Sequence, residues 1–331
     1  QEDDLLLIKK LLAQLGKTPF YKKEKPSPFD EAVSLIWYLE HVFYHSVPKI
    51  YNYIQQHVYD GEPIENEIID LGFWPGGDRD GNPFVTTKIT LNVAERLRQT
   101  ILRSYYRDIR RLKRRFTFDG VQEILAKVEK RLYKHVVRSY KKVNFSQKIL
   151  LSELEAAREI VKTKHNSLFI EELNDFINKV RIFGFHFATL DIRQDSRVHH
   201  KAFTQIVDDL AADGDTTFPK NYHHLSEDEQ ILILSLVKGN IDPKILSDEM
   251  SVKTIESIYA LKTIQARNGE RGANRYIISN NQSALNVMQT LAMLNLCGFE
   301  NELPVDIIPL FETVDDLENA SNVMQILYSN F

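Results

Sequence analysis

The pattern that dominates this chain is helical, because apolar residues recur at three- and four-residue spacing over long stretches. In residues 31–58, Leu35, Leu39 and Val42 fall on one face before Pro48, where we expect the helix to break or kink. The same spacing predicts further helices over 90–117, 120–143, 147–161, 168–180, 202–212, 226–238 and 282–297. The sequence therefore predicts a mostly α-helical protein.

Three short apolar runs differ from this pattern, and each ends in polar or charged residues. They are FATLDIRQD (187–195), RYIISN (275–280) and VDIIPLFET (305–313). Short runs rich in β-branched or aromatic residues between long helices are typical of buried parallel strands. Such strands must be covered by helices, as in an α/β barrel or an open sheet. We therefore expect a mostly α fold with a few buried parallel strands.

Composition narrows the class of protein. The chain has 331 residues and a single cysteine, Cys297, so it cannot form an intrachain disulfide, which fits a reducing compartment. No apolar run approaches the roughly 20 residues that span a bilayer. The acidic start, QEDDLLLIKK, does not match a signal peptide. These observations predict a cytoplasmic protein with no membrane partner.

Charge is distributed unevenly along the chain. Residues 101–142 contain 14 Lys and Arg against 4 Asp and Glu, whereas the net charge of the whole chain is −4. A basic helical face of this kind can neutralise nucleic-acid phosphates, but it can equally be a solvated face beside an acidic neighbour. Because no zinc-finger, RNP or helix-turn-helix signature accompanies it, we expect no nucleic-acid partner. The alternative is a non-catalytic helical binding module that uses the 101–142 face for nucleic acid or an acidic partner.

The loop LGFWPGGDRDGNPFVTT (71–87) is the first candidate for chemistry. Asp78, Asp80 and Asn82 alternate like calcium ligands, but proline and isoleucine stand where an EF-hand requires glycine and glutamate. No Gly-Lys-Ser/Thr follows, so it is not a phosphate-binding P-loop. What remains is a flexible loop that carries Arg79, whose planar fork suits phosphate or carboxylate. The alternative is a structural turn with an internal Arg-Asp pair.

Two charged residues stand where predicted strands end. In α/β barrels functional residues come from the carboxyl ends of strands. Arg193 suits an anionic substrate, or else it forms a salt bridge with Asp191 or Asp195. Glu312 can bind Mg²⁺ or Mn²⁺, or else it is an acidic residue at the N-terminus of the helix beginning TVDDLENA. The residues alone leave both alternatives open.

Taken together, three segments resemble phosphoenolpyruvate carboxylases. They are GGDRDGNPFVT, RIFGFHFATLDIRQDSRVHH and VDIIPLFETVDDLENASNVMQIL, supported by KPSPFDEA (25–32) and RYIISN (275–280). The resemblance implies a partial α/β (TIM-like) barrel surrounded by many helices. It also implies carboxylation of phosphoenolpyruvate with bicarbonate, giving oxaloacetate and phosphate, in an allosteric homotetramer that requires Mg²⁺ or Mn²⁺.

The resemblance also assigns roles to individual residues. Glu312 matches the metal-binding glutamate of the family, and Arg193 matches an arginine that holds the substrate phosphate. The GGDRDGNP loop lies near the same pocket in the family. We therefore predict Arg193 and Arg79 as catalytic residues, Arg193, Asp78 and Asp80 as substrate-binding residues, and Glu312 as the metal ligand.

Some family motifs are absent from these 331 residues, among them the Thr-Ala-His-Pro-Thr string with the catalytic histidine and the Ser-Asp-Ser-x-Lys-Asp string with a second metal ligand. We therefore expect residues 1–331 to be a single central fragment of a larger enzyme, with 1–180 mainly helical and 181–331 carrying the partial barrel strands. We expect the metal to be weakly bound or absent in the fragment, and the fragment to be inactive by itself.

Overall fold

Residues 2–18, 25–62, 64, 68–138, 145–299 and 304–329 are described by the computed structural model. The helices in them are α1 (Glu2–Lys17), α2 (Pro28–Tyr38), α3 (Tyr44–His57), α4 (Thr87–Arg115), α5 (Val121–Arg138), α6 (Gln147–Lys164), α7 (Ile170–Phe183), α8 (Ser196–Ala212), α9 (Glu227–Leu236), α10 (Glu249–Asn268), α11 (Ala284–Leu296) and α12 (Val314–Ser329). The strands are β1 (Gly72–Phe73), β2 (Thr189–Leu190), β3 (Ile192–Asp195), β4 (Arg275–Ser279) and β5 (Asp306–Pro309). The prediction of a mostly helical protein with a few short parallel strands is confirmed.

All eight predicted helical stretches are helical where they are described, although residues 139–143 of one of them lie outside the described residues. The sequence did not predict α1 or α10. In α10, the small polar residues Ser251, Thr254 and Ser257 are buried together with the apolar ones. When polar residues are buried on the packed faces, the alternation of apolar and polar positions from which a helix is predicted becomes weaker.

Of the two outcomes predicted at Pro48, a break or a kink, the break does not occur. Pro48 lies inside α3, and the irregularity is a π-helical turn one turn earlier, at Leu39–Phe43. A proline lacks the amide N–H and crowds the carbonyl of the preceding turn. In α3 that carbonyl belongs to Tyr44, which follows the π-helical turn and lies outside it.

The described strands form two parallel sheets, one of two strands and one of three. β1 pairs with β2, and β3 pairs with β4, which pairs with β5. Only Asp191 separates β2 from β3, so the spatial order is β1, then β2 and β3, then β4, then β5. Within the described residues these strands do not close into a barrel. Because β1 belongs to the mainly helical first part of the chain, both predicted parts contribute a strand to the β1–β2 sheet.

The strands are not equally buried. Tyr276 and Ile278 of β4 are fully buried, as predicted, whereas all four residues of β5 are exposed or half-buried. In the described part of the chain β5 pairs on one edge only, with β4. The prediction that 305–313 forms a buried strand is therefore wrong in this respect, because an edge strand leaves part of its backbone and side chains open to solvent.

Helices position the loop that follows β1. The side chain of Thr86 caps α4 by accepting a hydrogen bond from the backbone N–H of Ile89 at 3.3 Å. Val93, Leu97 and Ile101 then bury one face of α4 in the core. This packing fixes the end of the loop against the body of the protein. None of the described helices is long and apolar enough to cross a membrane.

Candidate functional site

The loop after β1 runs alongside β3 in the manner of a strand. The backbone N–H of Arg193 donates to the carbonyl of Gly77 at 3.0 Å, and the N–H of Arg79 donates to the carbonyl of Arg193 at 3.0 Å. Successive side chains of an extended segment point to opposite faces. Asp78 and Asp80 therefore face the side chain of Arg193, whereas Arg79 points to the other face.

Glycine is required in this loop for two different reasons. Gly76 has a φ of +88°, a left-handed conformation that disfavours other residues. At Gly77 an added Cβ would lie 1.9 Å from the carbonyl oxygen of Asp191, so no side chain fits there. The glycines thus allow the loop to lie directly on the β2–β3 segment, which brings its two aspartates to Arg193.

Arg193 is held by carboxylates from two other parts of the chain. Its Nη2 donates to Glu312 Oε1 at 2.7 Å and to Asp80 Oδ2 at 3.0 Å, and its Nε lies 3.9 Å from Asp78 Oδ1. The guanidinium carbon lies 5.2 Å from the centre of the Trp74 ring. Only 15% of the side chain is exposed. A cation–π contact and three carboxylates therefore orient one guanidinium.

Glu312 lies just beyond β5, and both of its carboxylate oxygens accept hydrogen bonds that fix its position. Its Oε1 accepts from Arg193, and its Oε2 accepts from the backbone N–H of Asn280 at 3.0 Å. The alternative considered for Glu312 was an acidic residue at the N-terminus of α12. In the structure two neighbouring residues, Thr313 and Asp316, cap that helix instead. The Thr313 hydroxyl accepts from the N–H of Asp316, and the Asp316 carboxylate accepts from the N–H of Thr313.

The alternative partners of Arg193 are engaged elsewhere. Asp191 accepts from Nε of Arg275 at 2.7 Å, and Asp195 accepts from Nη2 of Arg197 at 2.6 Å. Burial raises the pKa of Asp191, partly offset by Arg275. Hydrogen bonds from Arg197 lower the pKa of Asp195 despite its burial. Arg193 therefore pairs with distant residues and not with its neighbours in sequence.

Of the five residues predicted from the sequence, Arg193, Asp78, Asp80 and Glu312 come together, and the side chain of Arg79 does not join them. Its Nη2 lies 3.5 Å from the Thr90 hydroxyl, on the face of the sheet that also carries Tyr276. The internal Arg-Asp pair considered for this loop also does not form, because Asp78 and Asp80 turn toward Arg193. Arg79 contacts the cluster through its backbone only.

The side chains that sequence reasoning missed include Trp74 and Arg275. The indole Nε1 of Trp74 donates to Asp78 Oδ2 at 2.6 Å, which fixes that carboxylate, and its ring lies beside Arg193. Arg275 begins β4 and pairs with Asp191 and Asp70. The position of Trp74, two residues before the first glycine of the loop after β1, could have indicated from the sequence that it contacts the site. Nothing in the local sequence linked Arg275 to Asp70.

The cluster can bind an anion but supplies only part of a metal site. Arg193 offers a fork suited to phosphate or carboxylate once a ligand displaces Glu312 or Asp80. Glu312 offers one carboxylate, and Mg²⁺ is commonly bound through one or two carboxylates together with water and substrate oxygens. The described residues contain no group of three His, Cys, Asp or Glu side chains placed to hold a metal ion.

Several basic side chains of the 101–142 stretch form salt bridges with other described residues of the chain. Arg107 binds Glu40 at 2.7 Å, and Arg131 binds Glu153 at 2.7 Å. Further pairs join Lys113 to Glu129, Arg115 to Glu172 and Lys127 to Glu153. These contacts fit the interpretation of a helical face beside acidic neighbours.

Comparisons with known proteins agree with the motifs. The family model described as phosphoenolpyruvate carboxylase matches residues 2–147 and 121–331. A phosphoenolpyruvate carboxylase from Shewanella halifaxensis is 28% identical over 356 residues, which cover 98% of this chain and 40% of the relative. Those from Nitrosomonas eutropha and Trichormus variabilis are 26% and 27% identical, covering 99% and 92% of this chain. The chain spans about 40% of the length of the first two relatives.

Proposed function

Because the chain belongs to the phosphoenolpyruvate carboxylase family, we propose that the Arg193–Glu312 cluster takes part in the carboxylation of phosphoenolpyruvate with bicarbonate to oxaloacetate and phosphate. The observation that carries this proposal is the 2.7 Å contact between Arg193 Nη2 and Glu312 Oε1. It joins a guanidinium on β3, where Arg193 is the second of four residues and not the last as the sequence predicted, to a carboxylate three residues beyond the carboxyl end of β5. The carboxyl ends of parallel strands are where barrel enzymes carry their active sites.

In this proposal Arg193 binds the phosphate group of the substrate. The guanidinium is mostly buried and already oriented by Trp74 and Asp80, so little side-chain entropy remains to be lost on binding. An incoming phosphate replaces the carboxylate of Glu312 as hydrogen-bond acceptor. Asp78 and Asp80 keep the side chain in place while this exchange occurs. Arg79 contributes through its backbone hydrogen bond to Arg193.

Glu312, once released from Arg193, is available as one ligand of Mg²⁺ or Mn²⁺. Such an ion stabilises negative charge that develops on a substrate oxygen. The Ser-Asp-Ser-x-Lys-Asp string with a second metal ligand of the family is absent from these 331 residues, so we expect that they do not complete the site alone. We also propose that in a protein of the relatives' length these strands form part of an α/β barrel, with 1–331 as one central region of a homotetrameric, cytoplasmic enzyme.

The test compares two proteins in an assay coupled to malate dehydrogenase. The first is the complete product of the reading frame that encodes these residues, and the second is the 331-residue chain. We expect metal-dependent oxaloacetate formation by the first and none by the second. Glu312→Gln in the first protein should lower the rate by about 10² or more, the usual effect of losing a group that acts in the transition state.

The matched control is Glu318→Gln, an exposed glutamate on α12 outside the cluster. It should leave the rate unchanged. Unaltered metal dependence in the Glu312→Gln protein would remove Glu312 from the site. Robust metal-dependent turnover by the 331 residues alone would show that the cluster is more complete than we propose.

A further inference from the structure

A cavity of about 620 Å³ lies on the face of the strands opposite the Arg193–Glu312 pair. Gln194 and Tyr276 line it, and these residues share that face because Tyr276 is in register with Ile192, two residues before Gln194. The first turns of α4 and α10 form its other sides. Its volume falls within the range of roughly 300–1,000 Å³ typical of small-molecule sites.

Arg79 is the charged residue on the floor of this cavity. Its neighbours there, Ser257 and Tyr276, are buried and uncharged. Within the described part of the chain its side chain has one hydrogen-bond partner, the Thr90 hydroxyl at 3.5 Å, and no carboxylate pairs with it. Burial lowers the pKa of Arg79 from its usual value, and Tyr276 partly opposes this, but an arginine stays protonated. A largely buried cation without an anion is energetically costly.

The described carboxylates around the cavity do not pair with Arg79. The carboxylate of Asp248 accepts from the backbone N–H of Ser251 at 3.0 Å as the cap of α10. Glu249 pairs with Lys253 at 2.7 Å on the exposed rim. Glu256 is also exposed at the rim, where solvent screens it. The carboxylates adjacent to Arg79 in sequence face the opposite side of the sheet.

We propose that this cavity is a second ligand site, in which Arg79 binds the carboxylate or phosphate group of a small organic anion. The guanidinium presents a fork that can hold either group with two parallel hydrogen bonds. Thr86 and Thr87 line the same cavity, and their hydroxyls can donate to the remaining anionic oxygens, whereas the Ser257 hydroxyl already donates to the carbonyl of Thr254 at 2.7 Å. Lys88, exposed at the rim, adds positive charge at the entrance.

Calorimetric titration of the 331-residue chain with inorganic phosphate and, separately, with malonate tests the proposal. We expect saturable binding of at least one probe, and the tighter of the two identifies the preferred group. Arg79→Gln should weaken binding about tenfold or more, equivalent to ~1.4 kcal/mol. Arg79→Lys keeps the charge and loses the fork, so it should weaken binding less than Arg79→Gln does.

Two controls locate the binding. Lys253→Gln removes an exposed charge at the same rim that is already paired with Glu249, and it should change affinity by less than about twofold. Arg193→Gln removes the guanidinium on the other face and should leave the binding intact. If Arg193→Gln abolishes binding and Arg79→Gln does not, the probe occupies the proposed carboxylation site and this proposal is overturned.

The thermal unfolding midpoint distinguishes a ligand-binding role of Arg79 from a purely structural role. Because Arg79 lacks an anionic partner in the described residues, Arg79→Gln should leave the thermal unfolding midpoint unchanged or raise it. A structural role predicts a lower midpoint. No saturable binding of either probe by the unsubstituted chain, or equal binding by Arg79→Gln, would overturn the proposal. If Arg79→Gln does not fold, affinity retained in full by Arg79→Lys would overturn the requirement for the fork.

Discussion

Arg193→Gln should destabilise the chain much more than Glu312→Gln, although the two side chains contact each other. Among the described residues, Arg193 is the salt-bridge partner shared by Asp78, Asp80 and Glu312, at 3.9, 3.0 and 2.7 Å. Removing it leaves three carboxylates without their cation. Removing the charge of Glu312 instead leaves Arg193 with its two aspartates and reduces the excess of negative charge.

The magnitude follows from burial. Removing one partner of a buried pair costs about 3–5 kcal/mol, whereas an exposed pair contributes about 0–1 kcal/mol. The side chain of Arg193 is 15% exposed and that of Glu312 is 37% exposed, so the cluster lies between these limits. We therefore expect Arg193→Gln to lower the free energy of unfolding by about 2 kcal/mol, and Glu312→Gln by less than about 1 kcal/mol.

Urea denaturation of the 331-residue chain, followed by circular dichroism, measures both values. Arg107→Gln is the matched control, because Arg107 also forms a 2.7 Å contact with a glutamate, but its side chain is 58% exposed. It should cost less than about 1 kcal/mol. The reasoning is refuted if Glu312→Gln destabilises as much as Arg193→Gln, or if Arg193→Gln costs no more than the exposed control.

Two further predictions concern the surroundings of the site. Burial, together with the positive charge of Arg79, lowers the pKa of His199 to about 3. As pH falls from about 6.5 toward 3, His199 therefore takes up a proton in the unfolded chain but not in the folded chain. Urea denaturation across that window should show stability falling with pH, and His199→Gln should reduce the slope by up to about 1.4 kcal/mol per pH unit. Gly77→Ala should cost at least about 2 kcal/mol, because its Cβ would meet a backbone carbonyl at 1.9 Å. Gly16→Ala in α1 meets no atom within 4 Å and should be neutral or stabilising, and equal losses in the two variants would contradict this explanation.

The sequence was sufficient to predict most of the helices and three of the strand positions. These depend on local periodicity, which a window of ten to twenty residues contains. It was also sufficient for the family, because GGDRDGNP and PLFET are specific strings. For β5 the sequence predicted the position but not the partial exposure, which follows from its place at a sheet edge. The sequence did not predict α10, whose packed faces contain serine and threonine.

Pairing between distant residues was decided only by the tertiary structure. The sequence placed Arg193 at the end of a strand and left Asp191 and Asp195 as possible partners, but the fold joined it to Glu312, 119 positions away. It also separated Arg79 from the aspartates on either side of it. The physical reason is that an extended backbone sends alternate side chains to opposite faces. Which face meets which neighbour depends on the register of the strands, and this register is set by packing across the whole sheet.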